Sequence, residues 1–136
     1  IEIFENAGVE NNYLFGARVE ELNEIYDSYN PKEFYHTNQA IKDAVDALVS
    51  GELKDNDSYM FLDIYNSLIN PQGGEKADTY FLLKDFEDYK NTQEKINKEY
   101  SNRLTWAKKS LKNIANAGYF SSDRTILEYA KDIWKL

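Results

Sequence analysis

A chain of 136 residues is long enough for one domain with its own core, and 42% hydrophobic content favours folding over disorder. The absence of cysteine excludes disulfides, thiolate metal sites and cysteine nucleophiles, and a net charge of −8 argues against nucleic acid or anionic membranes as partners. No apolar run approaches the roughly 20 residues of a membrane span, and eleven tyrosines point to half-buried margins or to surfaces made to face other protein.

Ile1-Glu2-Ile3-Phe4 alternates like a strand already under way, without a charged leader before an apolar stretch. The expectation is a segment whose natural N-terminus lies upstream. Gly8, Asn11 and Asn12 make a short helix or loop, and Tyr13-Leu14-Phe15, ended by Gly16, reads as a buried strand. Two such strands cannot stand alone in water, so they call for packed helices or for strands this chain lacks.

After Gly16 the period becomes helical. Val19, Leu22 and Ile25 or Tyr26 share a face. Asn30-Pro31 supplies an N-cap and a proline at the first helical position, with Glu33 spaced as in a capping box. Ile41, Ala44, Val45, Leu48 and Val49 make the clearest amphipathic stripe, stopped by Gly51. Phe61, Ile64, Tyr65, Leu68 and Ile69 follow, ended by Asn70-Pro71. Gln72-Gly73-Gly74-Glu75-Lys76 is a surface excursion, and Tyr80 to Leu83 fits a short strand or a helical turn equally. Asp85 is placed to cap a long helix with Phe86, Tyr89, Gln93, Ile96 and Tyr100 along one stripe. A further helix carries Trp106, Leu111, Ile114 and Ala115 and closes at Gly118. The last starts after Ser121-Ser122 and is expected to bury Ile126, Ala130, Ile133 and Trp134. The total is six or seven helices with one or two short strands, in a single segment over residues 1–136.

Chemistry is sparse. His36 is the lone histidine, without the partner that a catalytic pair or a metal site needs. Asp55-Asn56-Asp57 lacks the central glycine and closing glutamate of a calcium loop. Asp85 and Asp88 suit the positive end of a helix, and Gly73-Gly74 lacks the strand, further glycines and lysine of a phosphate loop. Lys108, Lys109 and Lys112 form a small basic face without aromatic interleaving, better read as solvated than as a nucleic-acid site. Ser121-Ser122-Asp123-Arg124-Thr125 is a strong helix start in which Arg124 is free to clamp a carboxylate or a backbone carbonyl. Residue chemistry therefore assigns no catalytic, cofactor-binding or metal-binding residue.

Gly118-Tyr119-Phe120-Ser121-Ser122-Asp123-Arg124-Thr125-Ile126, with Tyr129-Ala130 and Ile133-Trp134, resembles the terminal segment of the α-glucan phosphorylases of glycogen, starch and maltodextrin. Trp106 with Leu111, Asn113, Ile114 and Ala115 is similar to the preceding helix of that family. Asp85-Phe86-Glu87-Asp88-Tyr89 with Gln93-Glu94 matches it in order, as does Ser50-Gly51. Glu2, Gly8, Glu10-Asn11, Leu14-Phe15-Gly16 and Val19-Glu20-Glu21 resemble the region just after the family's cofactor lysine segment. The resemblance covers essentially the whole chain. It departs at Gln72 to Lys76, which look like a small insertion. It departs also at Asn102-Arg103-Leu104, where a proline is common, and at Ala17-Arg18, where serine or threonine is more usual.

The resemblance implies a mainly α segment from the C-terminal part of the second Rossmann-like domain of a two-domain, GT-B type glycosyltransferase. It implies a parent that phosphorolyses terminal α-1,4 bonds to α-D-glucose 1-phosphate. That parent would use pyridoxal phosphate on a lysine before Ile1, and would be a cytoplasmic homodimer. This chain alone would bind no cofactor and have no activity, and its exposed apolar surface would favour self-association. Its expected partner is the remainder of the phosphorylase chain, with Ile133 and Trp134 as interdomain packing residues and Arg124 a clamp beside them. A freestanding helical interaction module derived from that domain is the alternative, and chance agreement in an unrelated helical adaptor the remoter one.

Overall fold

Local capping chemistry decides where the helices begin. The computed structural model describes residues 2–53 and 59–136. Asn30 accepts from the Lys32 amide and puts Pro31 at the head of a helix, Asn38 accepts from Ala40 and Ile41, Asn102 from Thr105, and Ser121 from Arg124. Arg18 offers no side-chain cap. Instead the Glu21 carboxylate reaches back 2.8 Å to the Arg18 amide, one half of a capping box. Gly51, at φ 85°, ends its helix in the left-handed conformation.

The helices are α1 (Glu2–Ala7), α2 (Val19–Ile25), α3 (Pro31–Thr37), α4 (Gln39–Ser50), α5 (Leu62–Ile69), α6 (Leu82–Tyr100), α7 (Arg103–Ala115) and α8 (Ser122–Glu128). The last runs on into a wider π-type turn over Tyr129–Trp134. Short 3₁₀ turns span Val9–Asn11 and Ala117–Phe120. The described residues thus hold eight α-helices, more than the six or seven expected, because α1 replaces a strand.

No β-strand is present among the described residues; one isolated antiparallel bridge joins Gln72 to Glu75. Both expected strands are corrected. Residues 2–4 open α1, where Glu2 and Glu5 suit the positive end of the helix; Ile1 lies outside the described residues. Tyr13, Leu14 and Phe15 have no regular secondary structure; Leu14 and Phe15 are about half exposed and pair with no neighbouring strand among the described residues. A helix closes its own hydrogen bonds, whereas a strand must borrow a partner's, so an alternating pattern without a partner stays helical or unpaired. Tyr80 and Phe81 form a turn, not a strand.

Two packing units divide the chain, residues Phe15–Asn91 and residues Ile1–Leu14 with Thr92–Leu136. In the first, α3, α4 and α5 surround a small core of Ile41, Val45, Ile69 and Leu83, with Phe34, Tyr35, Tyr65, Leu68 and Phe86 packed against it. Each such buried side chain contributes about 1.5–3 kcal/mol. The predicted α4 stripe holds at Ile41 and Val45, but Ala44 faces solvent, and Ile64 of α5 is half exposed.

The polar centre of this unit is Asp78, 3% exposed and with φ 49°. Its carboxylate accepts from the Leu82 and Leu83 amides, 2.8 Å each, and from the Tyr29 hydroxyl at 2.6 Å. Asp78, rather than Asp85, is therefore the cap of α6. Asp85 and Asp88 instead hold the turn before α2, accepting from the Ala17 and Gly16 amides at 2.9 and 2.7 Å. Glu87 accepts from the Asn38 side chain at 2.7 Å.

Among the described residues of the second unit, only Ala7 and Asn11 are buried. Asn11 donates to the Ala7 carbonyl at 2.6 Å, and Asn113 of α7 donates to the Asn11 carbonyl at 2.9 Å, tying α1 and its turn to α7. The apolar residues expected to be buried by the last helix are not: Ile126, Ile133 and Trp134 are all more than half exposed. The described residues offer them no neighbouring core.

Asp78→Ala strips one hydroxyl and two helix amides of their buried acceptor, and should lower unfolding free energy by about 3 kcal/mol; urea titration followed by circular dichroism measures it. Gly16 sits at φ +88°, and a Cβ there would lie 2.6 Å from Asp85 Oδ2. Gly16→Ala should cost about 2–3 kcal/mol, because it strains the backbone and displaces the carboxylate that holds Ala17. An unchanged urea midpoint would show that the turn is not pinned by Asp85.

Candidate functional site

The densest polar cluster outside the core lies in the unit of residues Ile1–Leu14 and Thr92–Leu136. The cap at Asn102 starts α7 so that Trp106 and Lys109 share one face, one turn apart. Tyr13 stacks on Trp106 with ring centroids 5.9 Å apart and planes 19° from parallel, and Tyr100 meets Trp106 edge-on at 5.0 Å. The Tyr13 hydroxyl donates to Glu99 Oε2 at 2.7 Å, and Lys109 Nζ donates both to Glu99 and to the Tyr13 oxygen, the latter at 3.1 Å. The Lys109 ammonium lies 4.5 Å from the Tyr13 ring centre, and the Arg103 guanidinium 4.1 Å from that of Tyr100. With Tyr13, Trp106 and Lys109, the residues Asn11, Asn12, Ser110 and Asn113 and the apolar Ile96 and Ile114 line a cavity of about 490 Å³.

The electrostatics of this cluster are those of a closed ion pair. The Lys109 hydrogen bond, then the Tyr13 hydroxyl, hold the Glu99 carboxyl below the usual glutamate range. The hydrogen bond to Glu99 likewise raises Lys109 above the usual lysine range. A general base poised near neutrality, or a neutral amine able to attack a carbonyl, needs the opposite shifts. The Tyr13 hydroxyl and the Lys109 ammonium both already donate to Glu99. In the other unit, burial and then the Asp78 hydrogen bond push the Tyr29 hydroxyl far above the usual tyrosine range, which makes it a fixed donor.

The residues singled out by sequence are dispersed. His36 is exposed on α3, edge-on to Tyr35 at 5.0 Å. Asp55, Asn56 and Asp57 lie outside the described residues. Gly73 and Gly74, at φ 60° and 88°, form the tip of a tight turn that faces open space. Of the basic face, Lys109 turns to Glu99, Lys112 lies 3.8 Å from Glu10, and Lys108 faces solvent. Arg124 does clamp a carbonyl, that of Tyr119, by its Nε; it also pairs with Glu128 and lies 3.8 Å from the Tyr119 ring. This clamp is local, between the 3₁₀ turn and α8. Among the described residues no three His, Asp or Glu side chains converge as metal ligands, and no helix is long and apolar enough to cross a membrane. Sequence reasoning passed over Asp78 and the Tyr13–Glu99–Lys109 cluster. Neither tyrosine-to-carboxylate pairing, at separations of 49 and 86 residues, leaves a local signal in the sequence.

The carbohydrate phosphorylase family profile matches residues 1–136. The chain belongs to the carbohydrate phosphorylase family. It is 40% identical to the glycogen phosphorylase of Bacillus subtilis, over 98% of this chain and 16% of that protein. It is 36% identical to the glycogen phosphorylase of Synechocystis, over 100% and 15%, and 38% identical to the brain form of human glycogen phosphorylase, over 98% and 15%. The chain therefore spans about one sixth of the length of the curated relatives it matches.

The described residues do not fit the pyridoxal phosphate that the resemblance implies. The glycine turn is open, and Lys109, in the wall of the cavity beside Tyr13, is held protonated by its partners rather than primed for a Schiff base.

The cluster sets a pH dependence. Because Glu99 is lowered, its contribution to stability is complete above the ordinary glutamate range and is lost as pH falls through its folded-state value. Asp46, lowered by Lys42 and then by Tyr35, adds a second contribution of the same sign. Because Lys109 is raised, its share is complete below the ordinary lysine range and is lost only as pH rises through it. Stability should be flat through neutrality and fall in acid. Glu99→Gln should lower the neutral plateau and shallow the acid fall without abolishing it. Melting temperatures between about pH 3 and pH 7 measure this, and an acid limb of unaltered depth in the variant would exclude the pair as its source.

Proposed function

We propose that this chain is the C-terminal portion of an α-glucan phosphorylase, from the second of two Rossmann-like domains of a GT-B type glycosyltransferase. The parent phosphorolyses terminal α-1,4 bonds of a glucan with orthophosphate and releases α-D-glucose 1-phosphate, as a cytoplasmic homodimer carrying pyridoxal phosphate. The observation that carries this reading is a family match along all 136 residues that takes up only 15–16% of each relative's length. In this reading the cofactor supplies the acid–base chemistry from residues outside the chain. The chain's own residues supply scaffold: Asp78 sets the start of α6, and Asp85 and Asp88 set the turn after Tyr13-Leu14-Phe15.

The exposed tail of α8 fits the same role. Ile133 and Trp134, 61% and 54% exposed, pack in the parent against protein beyond this chain, with Arg124 fixing the angle at which α8 leaves the Tyr119 turn.

Two measurements test the reading. The 136-residue chain, given glycogen, orthophosphate and pyridoxal phosphate, should form no glucose 1-phosphate, while the intact gene product should weigh several times 15.9 kDa and be active. A gene product near 15.9 kDa would replace the phosphorylase with a freestanding interaction module. In the full-length enzyme, Trp134→Ala should lower melting temperature and activity together; no change in either would remove the packing role.

A further inference from the structure

Helix α7 has two faces. One carries Trp106, Lys109 and Asn113 and is engaged by Tyr13, Glu99 and Asn11. The other carries Leu104, Ala107 and Leu111, with Ile114 at its edge where it also borders the Tyr13–Trp106 cavity, a stripe at helical spacing. Leu104, Leu111 and Ile114 are 67%, 66% and 70% exposed. A second apolar stripe on a helix already anchored by its first is not needed to hold the described fold, and an exposed apolar stripe marks a contact surface. Lys108 and Lys112 border it. Lys108 has no partner among the described residues, and Lys112 is mostly exposed. Residues 92–136 hold nine Lys and Arg against five Asp and Glu, a cationic surplus in a chain of net charge −8.

We propose that this stripe is the seat of an acid-rimmed apolar segment of the parent chain, outside these 136 residues. The proposal rests on the phosphorylase reading, and two observations choose the occupant. Some five sixths of the length of each relative lies beyond the matched segment, which supplies the covering protein. The lysine rim disfavours a second copy, because a twofold pairing through the stripe would set Lys108 and Lys112 against themselves or each other. Carboxylates on the covering segment meet that rim and fix its register, while Leu104, Leu111 and Ile114 supply the buried area.

Hydroxyl-radical footprinting of side chains, read by mass spectrometry, tests this in the full-length enzyme against the 136-residue chain at high dilution. Leu111 should lose labelling by about eightfold or more in the full-length enzyme, the ratio between 66% exposure and the 1–8% of this chain's buried apolar residues. In the enzyme, the double substitution Lys108→Glu with Lys112→Glu should partly restore labelling at Leu111, with labelling at Ile41 unchanged as proof of folding. Equal Leu111 labelling in enzyme and chain overturns the proposal. So does protection that appears only in the short chain and grows with its concentration, which would assign the stripe to a second copy. Protection indifferent to the charge reversal overturns the acidic rim. A gene product of 15.9 kDa is a different failure, that of the phosphorylase reading itself, and mass alone reports it.

Discussion

A single buried carboxylate organises the better-packed half of the chain. Asp78 cannot be solvated where it sits, so its oxygens must find donors, and it finds three: two amides at the head of α6 and the hydroxyl of Tyr29. The geometry forces Asp78 and Phe81 to positive φ, a strain of about 1–2 kcal/mol at each position. The tight corner brings Phe81 against Tyr29, ring centroids 4.7 Å apart, and puts Leu83 into the core beside Ile41 and Val45. Once α6 starts there, its next turns present Asp85, Glu87 and Asp88 to Ala17, Asn38 and Gly16. One acidic stretch thus holds its own helix, the turn before α2 and the cap of α4. With only four residues in the buried core cluster, this polar pinning does much of the work that apolar burial does in larger domains.

Where local chemistry decides, the sequence could be read. Asn30-Pro31, Asn38, Asn102, Ser121 and Gly51 each act through hydrogen bonds within three residues, and each lies where capping rules place it. The departure from family pattern at Asn102-Arg103-Leu104 costs α7 nothing, because Asn102 caps the helix without help from a proline. The mistakes arose where a partner decides. Ile1 to Phe4 and Tyr13 to Phe15 have strand patterns, yet a pattern only states a preference for a sheet, and no sheet is offered here. Asp85 looked like a cap because it precedes an apolar stripe; Asp78 does the capping because the chain doubles back through positive φ, which no local pattern announces.

The same distinction explains why the candidate site could not be read in advance. Tyr13, Glu99 and Lys109 meet only because α7 folds back along the end of α6 and the Tyr13 segment lies beside both. Tyr13 and Glu99 did not stand out for chemistry and Lys109 did so only as part of a basic face; together they form an ion pair tied by a tyrosine hydroxyl. The motif that did stand out, Ser121 to Thr125, is structural in its observed contacts: Ser121 caps, and Arg124 clamps the carbonyl of Tyr119.

Hydrophobic content and burial then pull apart in an informative way. Of a chain that is 42% hydrophobic, seven apolar residues among those described are buried, while Leu104, Leu111, Ile114, Ile126, Leu127, Ile133 and Trp134 are each more than half exposed. Scattered exposure would be ordinary. Val9, Val19, Tyr80 and Leu82 are exposed to a similar degree elsewhere, but on α7 and α8 the exposed apolar residues sit in helices whose N-caps are formed. A helix with a formed cap and an unfinished apolar face has its boundaries set locally and its stability set by whatever covers it. Sequence likeness to phosphorylases along the whole chain therefore attaches to two kinds of residue with different reasons to persist. Asp78 and Gly16 answer to contacts inside the 136 residues; the α7 stripe and Trp134 are exposed, with no such contact to account for them among the described residues.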